Sequence, residues 1–395
     1  METKRVITVA QKAMPHIKKG DPLLSPLSFD EELVFTEGEQ VQLVSPVGQF
    51  LGEAYLAKQN KGIGWIYSFQ EGVDFDYSYF LKQFKKAVER REGLLSSAET
   101  NAFRLFNAEG DGIPGLSVDY YAGFAVMSWY SEGIYQYRED ILAAFREVFQ
   151  FVKGVYEKRR YQQDGETASD FVYGEEAPSP HYIKENNVIY ATYLNEGWMT
   201  GIFLDQREVR RELMETYAPG KTVLNTFSYT GAFSVAAAMG GATHTTSVDV
   251  ANRSREKTRE QFEVNGLDPD AHKIYVMDVF DYIQYAKRKA LTFDVIVVDP
   301  PSFARSKKRL FSVTKDYTAM IEDLIDISAP KGVFILSSNA ATYKRKKFRS
   351  DLETAFRNKG IGYSIAAEHR LPADFRTPKA SPSSDYLKVF IIQKH

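Results

Sequence analysis

The chain has 395 residues, enough for two or three domains with sizeable cores. Its 50 Lys plus Arg against 52 Asp plus Glu leave a net charge of −2, so it has no bulk attraction to nucleic acid, and any such binding must use local patches. It contains no cysteine, which excludes disulfides, cysteine-ligated zinc, iron–sulfur clusters and any thiol nucleophile.

Residues 1–75 read as an all-β module. Short β-rich pieces, Arg5 to Val9 and Gln40 to Val44, alternate with Gly and Pro turns such as Pro46-Val47-Gly48. Residues 1–78 are acidic, with 7 Lys plus Arg against 11 Asp plus Glu. A helix is predicted from Ser78 to Leu95, with Lys82, Lys85, Lys86, Arg90 and Arg91 along it. Residues 79–190 combine this helix with strands and a second helix near Tyr135 to Phe149, an α+β middle domain. The polar stretch Gln162 to Pro180 predicts a surface loop or short hairpin. Residues 191–395 alternate strand and helix, the pattern of an α/β domain with a parallel, doubly wound sheet. Its strands are Thr222 to Asn225, His244 to Asp249, Lys273 to Met277, Phe293 to Asp299 and Val333 to Ser337. Helices fall at Gly231 to Met239, Arg253 to Asn265, Phe280 to Arg288 and Tyr317 to Ser328. An antiparallel pair is expected to close the sheet, with Leu387 to Gln393 last.

The most informative motif is Asp299-Pro300-Pro301-Ser302-Phe303, directly after the apolar run Val295 to Val298. Such a β-branched run is a buried parallel strand, and its carboxyl end is where open α/β sheets bind ligands. Asp299 offers a hydrogen-bond acceptor there, Pro300 stiffens the turn, and Phe303 offers a stacking face for a flat base. The first strand leads into Asn225-Thr226-Phe227-Ser228-Tyr229-Thr230-Gly231, at a helix N-terminus with free N–H groups. Only one glycine is present, so this is not a dinucleotide fingerprint, and a cofactor without pyrophosphate fits better. Asp249 ends the second strand, where ribose hydroxyls are bound, and Asp278 with Val279 follows the third, where an adenine edge can lie. Acids also sit at such places as helix caps. The ordered set of Asn225 to Gly231, Asp249, Asp278 and Asp299 is the layout of a class I S-adenosylmethionine-dependent methyltransferase.

The chain resembles bacterial RNA methyltransferases that join an N-terminal PUA domain, a middle domain and a C-terminal S-adenosylmethionine domain, the type that modifies large-subunit ribosomal RNA. The resemblance is carried by Arg104-Leu105-Phe106 with Glu109 to Leu116, by Thr200-Gly201-Ile202-Phe203-Leu204-Asp205-Gln206-Arg207, by Asn225 to Gly231 and by Asp299 to Lys307. It implies a PUA-like β-barrel, a Rossmann-like C-terminal sheet, and Phe203, Asp205 and Arg207 beside the cofactor. The chain departs from members that methylate cytosine C5, which need a cysteine to activate that carbon through a covalent adduct. Here the corresponding stretch reads Leu336-Ser337-Ser338-Asn339-Ala340. Ring nitrogens are already nucleophilic and need positioning and charge stabilisation. The stretch Asp299 to Lys307 is also similar to the guanine-N7 domain of a bifunctional ribosomal RNA methyltransferase. Methyl transfer to a base nitrogen is the expectation.

Two basic runs follow the strands that carry this chemistry: Arg305, Lys307, Lys308 and Arg309, then Lys344, Arg345, Lys346 and Lys347 with Arg349. Charge runs are usually solvated helix faces, but two runs at one mouth suit RNA phosphates. The histidines show no metal-ligand spacing, and no metal is expected. No stretch approaches 18 apolar residues, so a cytoplasmic protein without membrane attachment is expected, with room for a homodimer. Two rival readings are a small-molecule methyltransferase and a non-catalytic RNA-binding or ribosome-assembly factor that retains a cofactor site.

Overall fold

The computed structural model describes residues 4–59, 62–161, 169–305, 310–381 and 384–395. They form two compact units: Met1–Ile183 with Tyr193–Thr200 and Ala373–Ser384, and Lys184–Thr192 with Gly201–Pro372 and Asp385–His395. Among the described residues no helix is long and apolar enough to cross a membrane.

The first unit holds two five-stranded sheets. The N-terminal one runs Arg5–Thr8, Gln40–Val44, Phe50–Gln59, Gly62–Ser68, Leu23–Leu24 in spatial order. Alternate residues point inward, so Val41, Leu43, Ala54 and Leu56 meet Ile7, Leu24 and Ile66 in one core. The module is not all-β as the sequence suggested. Met14–Lys18 form a short helix, because Pro15 suits a helix start and Met14 and Ile17, three apart, both bury.

The second sheet runs Asp170–Gly174, Gly154–Arg159, Phe124–Trp129, Leu116–Tyr121, Ala102–Asn107. The helix Tyr77–Leu95 covers one face with Phe80, Phe84 and Ala87. It starts where the Asp76 carboxylate accepts the Tyr79 N–H at 2.9 Å. The expected single helix near Tyr135 to Phe149 is two, Glu132–Tyr135 and Arg138–Val148. Between them Tyr137 leaves helical geometry and turns its ring toward Phe75, 5.0 Å between centroids. Of the polar stretch 162–180, residues 162–168 lie outside the described ones, and Asp170–Gly174 is an edge strand.

The second unit is built on a seven-stranded sheet. Its chain order is β1 (Thr222–Thr226), α1 (Ala232–Met239), β2 (His244–Asp249), α2 (Ser254–Glu263), β3 (Lys273–Val276), α3 (Val279–Arg288), β4 (Phe293–Val298), α4 (Val313–Ile325), β5 (Ser328–Ser338), α5 (Arg345–Asn358), β6 (Tyr363–His369) and β7 (Lys388–Lys394). The spatial order is β3-β2-β1-β4-β5-β7-β6, with only β7 antiparallel. Both faces are covered. Ile296 and Val298 of β4 pack with α3, α4 and α5, whereas Val295 and Val297 pack with Phe233 and Ala237 of α1. That double burial is why β4 reads as an uninterrupted β-branched run. Some elements differ from the sequence reading. α4 starts earlier and ends at Ile325, and Ser328 opens β5 by pairing with Phe293. A hairpin, Phe303–Arg305 with Leu310–Ser312, follows β4 and was not foreseen.

Candidate active site

The parallel strands end level. Thr226 pairs with Val248 and Val298, and Val298 pairs with Leu336. After β1 the chain turns to one face of the sheet, and after β4 to the other, so the two neighbours define a topological switch point. Both motifs singled out above lie there.

The β1–α1 loop is held in a demanding conformation. Phe227 and Tyr229 both have positive φ, +54° and +52°, which non-glycine residues rarely adopt. Ser228 N donates to Val248 O at 3.0 Å, and Gly231 N to Ser228 O at 2.7 Å. Gly231 has φ +80°, and a Cβ there would stand 2.5 Å from Thr258 Cγ2, so neither the backbone nor the space admits a side chain. No side chain caps α1, which leaves first-turn amides without a side-chain acceptor. The Asn225 side chain is buried and donates to Ser234 Oγ at 3.0 Å, within the sheet–helix layer. Thr230 Oγ1 donates to Gly201 O at 2.6 Å.

At the neighbouring strand ends, the Asp249 carboxylate accepts Tyr229 N at 2.8 Å and Ala251 N at 2.9 Å. Asp278 is the N-cap of α3, accepting Phe280 N at 2.9 Å through Oδ1. Val279 is buried behind it. Phe311, from the hairpin, lies 5.5 Å from Phe280 and 6.0 Å from Phe227, centroid to centroid.

The segment after Gly201 approaches the same edge. Phe203 is 40% exposed, with its ring 5.6 Å from Tyr229. Its carbonyl accepts Arg210 at 2.7 Å, and Arg210 is locked by a buried two-point pair with Glu185 at 2.6 and 2.8 Å. Asp205 accepts the Tyr386 hydroxyl at 2.7 Å. Arg207 is buried, its Nε donating to Glu208 at 3.0 Å. Gln206 Nε2 donates to Asp299 Oδ1 at 3.1 Å, while its Oε1 is buried without a hydrogen-bond partner.

Asp299 therefore stands in a built environment. Ser337 Oγ also donates to its Oδ1, so both protein donors use one oxygen and Oδ2 is left to accept from elsewhere. Burial pushes the carboxyl up from 3.8 to about 6; the Ser337 hydrogen bond opposes this, and the Asp205 charge adds to it. Behind it, Tyr317 Oη of α4 donates to Ser337 O of β5 at 2.9 Å and lies 3.3 Å from Val298 O of β4. Pro300 is buried, Ser302 Oγ donates to Asn339 Oδ1 at 3.2 Å, and Phe303 is 71% exposed.

Comparison with known proteins identifies this arrangement. The family model for S-adenosylmethionine-dependent methyltransferases matches residues 144–361, and that for a PUA-like domain matches residues 7–69. A Bacillus subtilis protein provisionally named ribosomal RNA large subunit methyltransferase YwbD is 48% identical over 99% of this chain and 100% of its own length. Ribosomal RNA large subunit methyltransferase I of Aeromonas salmonicida is 31% identical over 90% of this chain and 91% of its own. The chain belongs to the S-adenosylmethionine-dependent methyltransferase family. The crystal structure of SMU.776, provisionally named a methyltransferase and complexed with SAH, is 45% identical, covers 98% of this chain and 100% of its own, and superposes with a TM-score of 0.93.

The residues of this methyltransferase fit its cofactor, S-adenosylmethionine. A cationic, amine-bearing, ribose-containing molecule needs acceptors rather than a pyrophosphate cradle. The site supplies the carboxylates of Asp249, Asp278 and Asp299 and the orphaned Gln206 Oε1. Gln206 and Ser337 were not singled out from the sequence. Their roles arise from register, because they reach Asp299 across 93 and 38 residues.

The basic runs are less uniform than the sequence suggests. Lys307, Lys308 and Arg309 lie outside the described residues, and Arg305 is described by its backbone alone. In the second run Arg345 pairs with Glu368 and Lys347 with Asp351, while Lys344 and Lys346 are exposed at the start of α5.

Proposed function

We propose that this methyltransferase moves the methyl group of S-adenosylmethionine to a nitrogen of a base in large-subunit ribosomal RNA, with no covalent enzyme–RNA intermediate. The names of the relatives support the RNA class. The observation that carries the nitrogen assignment is Asp299: a carboxylate with one free oxygen at the switch point, in a chain without any cysteine. Its hydroxyl neighbour Ser337 does not replace the thiol, since a carboxyl titrating near 6 is far too weak a base to form an alkoxide.

In this reading Asp299 Oδ2 accepts an N–H of the target base and sets its angle of approach, Pro300 keeps the turn rigid, and Phe303 stacks on the flipped base. Asp249 accepts from ribose hydroxyls; Asp278, Val279 and the neighbouring aromatic rings hold the adenine. The loop Asn225, Phe227, Ser228, Tyr229, Thr230 and Gly231 presents backbone groups, with Phe203, Asp205 and Arg207 alongside. The sulfonium supplies an already activated methyl group, so the protein contributes alignment. Lys344 and Lys346, with Arg345, Lys347 and the run Arg305 to Arg309, contact phosphates. Residues 1–75 form the PUA-like module, 79–190 the middle domain and 191–395 the catalytic domain, except that 193–200 and 373–384 belong to the first compact unit.

The test is methylation of ribosomal RNA with isotopically labelled cofactor, followed by nucleoside mass spectrometry. An N-methylated nucleoside is expected. A 5-methylpyrimidine, or covalent trapping on RNA containing 5-fluorocytosine, would overturn the nitrogen assignment. Cofactor binding with no labelling of any RNA would overturn the RNA substrate.

A further inference from the structure

One cluster of charge lies in the first unit. The strands Phe124–Trp129 and Gly154–Arg159 run parallel, so their carboxyl ends lie at one edge of the sheet. There the chain reads Lys158-Arg159-Arg160-Tyr161, and Tyr130, 42% exposed, follows the neighbouring strand. Arg159 is neutralised by Asp170. Lys158 and Arg160 have no carboxylate partner among the described residues. Lys158 is fully buried and donates to Gly197 O at 2.7 Å; Arg160 donates to Trp198 O at 2.7 Å, and its Nε is buried without a partner. Burial above all, with the nearby Arg160 charge, lowers the Lys158 amine to about 8, and the Asp119 carboxylate opposes this.

Lys158 on the strand and Arg160 just past its end carry like charges, which repel. Both are spent on two consecutive carbonyls, those of Gly197 and Trp198. The result is a fixed turn that presents one large ring. Trp198 is 37% exposed, with the Arg160 guanidinium 5.5 Å from its centroid. A rigid, exposed indole beside an under-neutralised arginine matches the physics of unpaired nucleic acid, where bases stack on aromatic faces and phosphates meet cations. An acidic peptide would use the charge and leave the indole idle.

We propose that this strand end is a stacking platform for an unpaired nucleotide of the RNA substrate, with Trp198 taking the base and Arg160 the adjoining phosphate. The inference rests on RNA being the substrate and adds a second place where the RNA is held. It also says why a lysine is buried with a single carbonyl for company: Lys158 braces the turn that carries the ring.

The chain offers its own probe. Of its three tryptophans, Trp65 is 6% exposed and Trp129 fully buried, so a ligand reaching the surface quenches mainly Trp198. Titrating the full chain with an unstructured RNA of about ten nucleotides should give saturable quenching, and a duplex of the same length should give much less. Trp198→Ala should weaken binding of the single strand, read by anisotropy, roughly 5- to 100-fold, and Trp198→Phe should retain most of it. Arg160→Gln should flatten the plot of log affinity against log salt by about 0.7. Wild-type quenching that is absent while anisotropy reports binding would overturn the platform, and this needs no variant to fold. So would unchanged affinity in folded Trp198→Ala. If quenching and the variant effects hold but no RNA is methylated, the platform stands and the substrate assignment falls. If RNA is methylated and Trp198→Ala binds it normally, the platform alone falls.

Discussion

Asp299 is a single residue on which activity and stability should pull in opposite directions. Its carboxyl is raised to about 6, mainly by burial. A carboxyl whose folded value lies above its unfolded value of 3.8 favours the folded state when protonated. That contribution is present below about pH 3.8 and is lost as pH rises through about 6. At pH 7.5 the ionised group is therefore a stability cost kept for function. Asp299→Asn should stabilise the fold slightly, by ~1 kcal/mol or less, read as a small rise in the thermal midpoint. It should also slow methyl transfer by about 10- to 150-fold, the effect of losing a hydrogen bond to a charged group. The pH–rate profile decides the role. Wild type should lose activity below about pH 6, and the variant should show no such limb. An acid limb that survives in Asp299→Asn would assign it to another group.

At the scale of elements, the turn from β1 into α1 carries the strain. Gly231 sits at φ +80° against Thr258 of α2, so Gly231→Ala meets two separate penalties. One is the left-handed backbone, about 1 kcal/mol; the other is the 2.5 Å approach to Thr258 Cγ2. Adding Thr258→Ala should relieve the second and leave the first. A double-mutant cycle by thermal denaturation should thus show a coupling of roughly 1 kcal/mol, and no coupling would refute the contact. Cofactor affinity should fall in both proteins that carry Gly231→Ala, since the loop amides move with the turn. This element was legible beforehand because its signals are local: a strand, one glycine, an apolar helix. β4 was legible for the same reason, its four apolar residues being buried on both faces. The hairpin Phe303–Arg305/Leu310–Ser312 was not, since three-residue strands carry no period to read. The break at Tyr137 was hidden because it is caused by a ring docking on Phe75, 62 residues away in sequence. Asp249 and Asp278 were placed correctly at strand ends, and the helix-cap alternative weighed for such acids holds for Asp278, which caps α3.

At the scale of the whole molecule, the chain does not finish its first unit in order. Residues Ala373–Ser384, close to the C-terminus, belong to that unit. They explain the stretch Arg104 to Leu116, which stood out in the sequence. Arg91, almost fully buried, donates to Asp111 at 2.5 and 2.9 Å and to Asp374 O at 2.6 Å. Arg104 N donates to Asp374 Oδ2 at 2.9 Å, and Arg104 lies 4.3 Å over the Phe375 ring. Asn107 donates to Arg376 O at 2.7 Å, and Glu109 accepts from Ser384. Gly110 is required because the returning backbone touches it: a Cβ there would stand 1.7 Å from Arg376 O. The motif is thus a dock for a distant segment, closed across more than 260 residues, and such closure is slow and entropically costly. Two substitutions in the full chain should show the dependence. Arg91→Met leaves the buried Asp111 with Arg90 as its ion-pair partner and the Asn107 N–H at 2.8 Å, and should cost about 3 kcal/mol. Gly110→Ala should expel the returning segment while leaving every charge in place. Hydrogen exchange then separates the two units. In both variants the amides of Ala102–Asn107, above all Arg104, should lose protection, while those of β1 and β4 keep theirs. Uniform loss over the whole chain would mean that the network stabilises the molecule generally. Unchanged protection at Arg104 in Gly110→Ala would mean that the returning segment is not held by this dock.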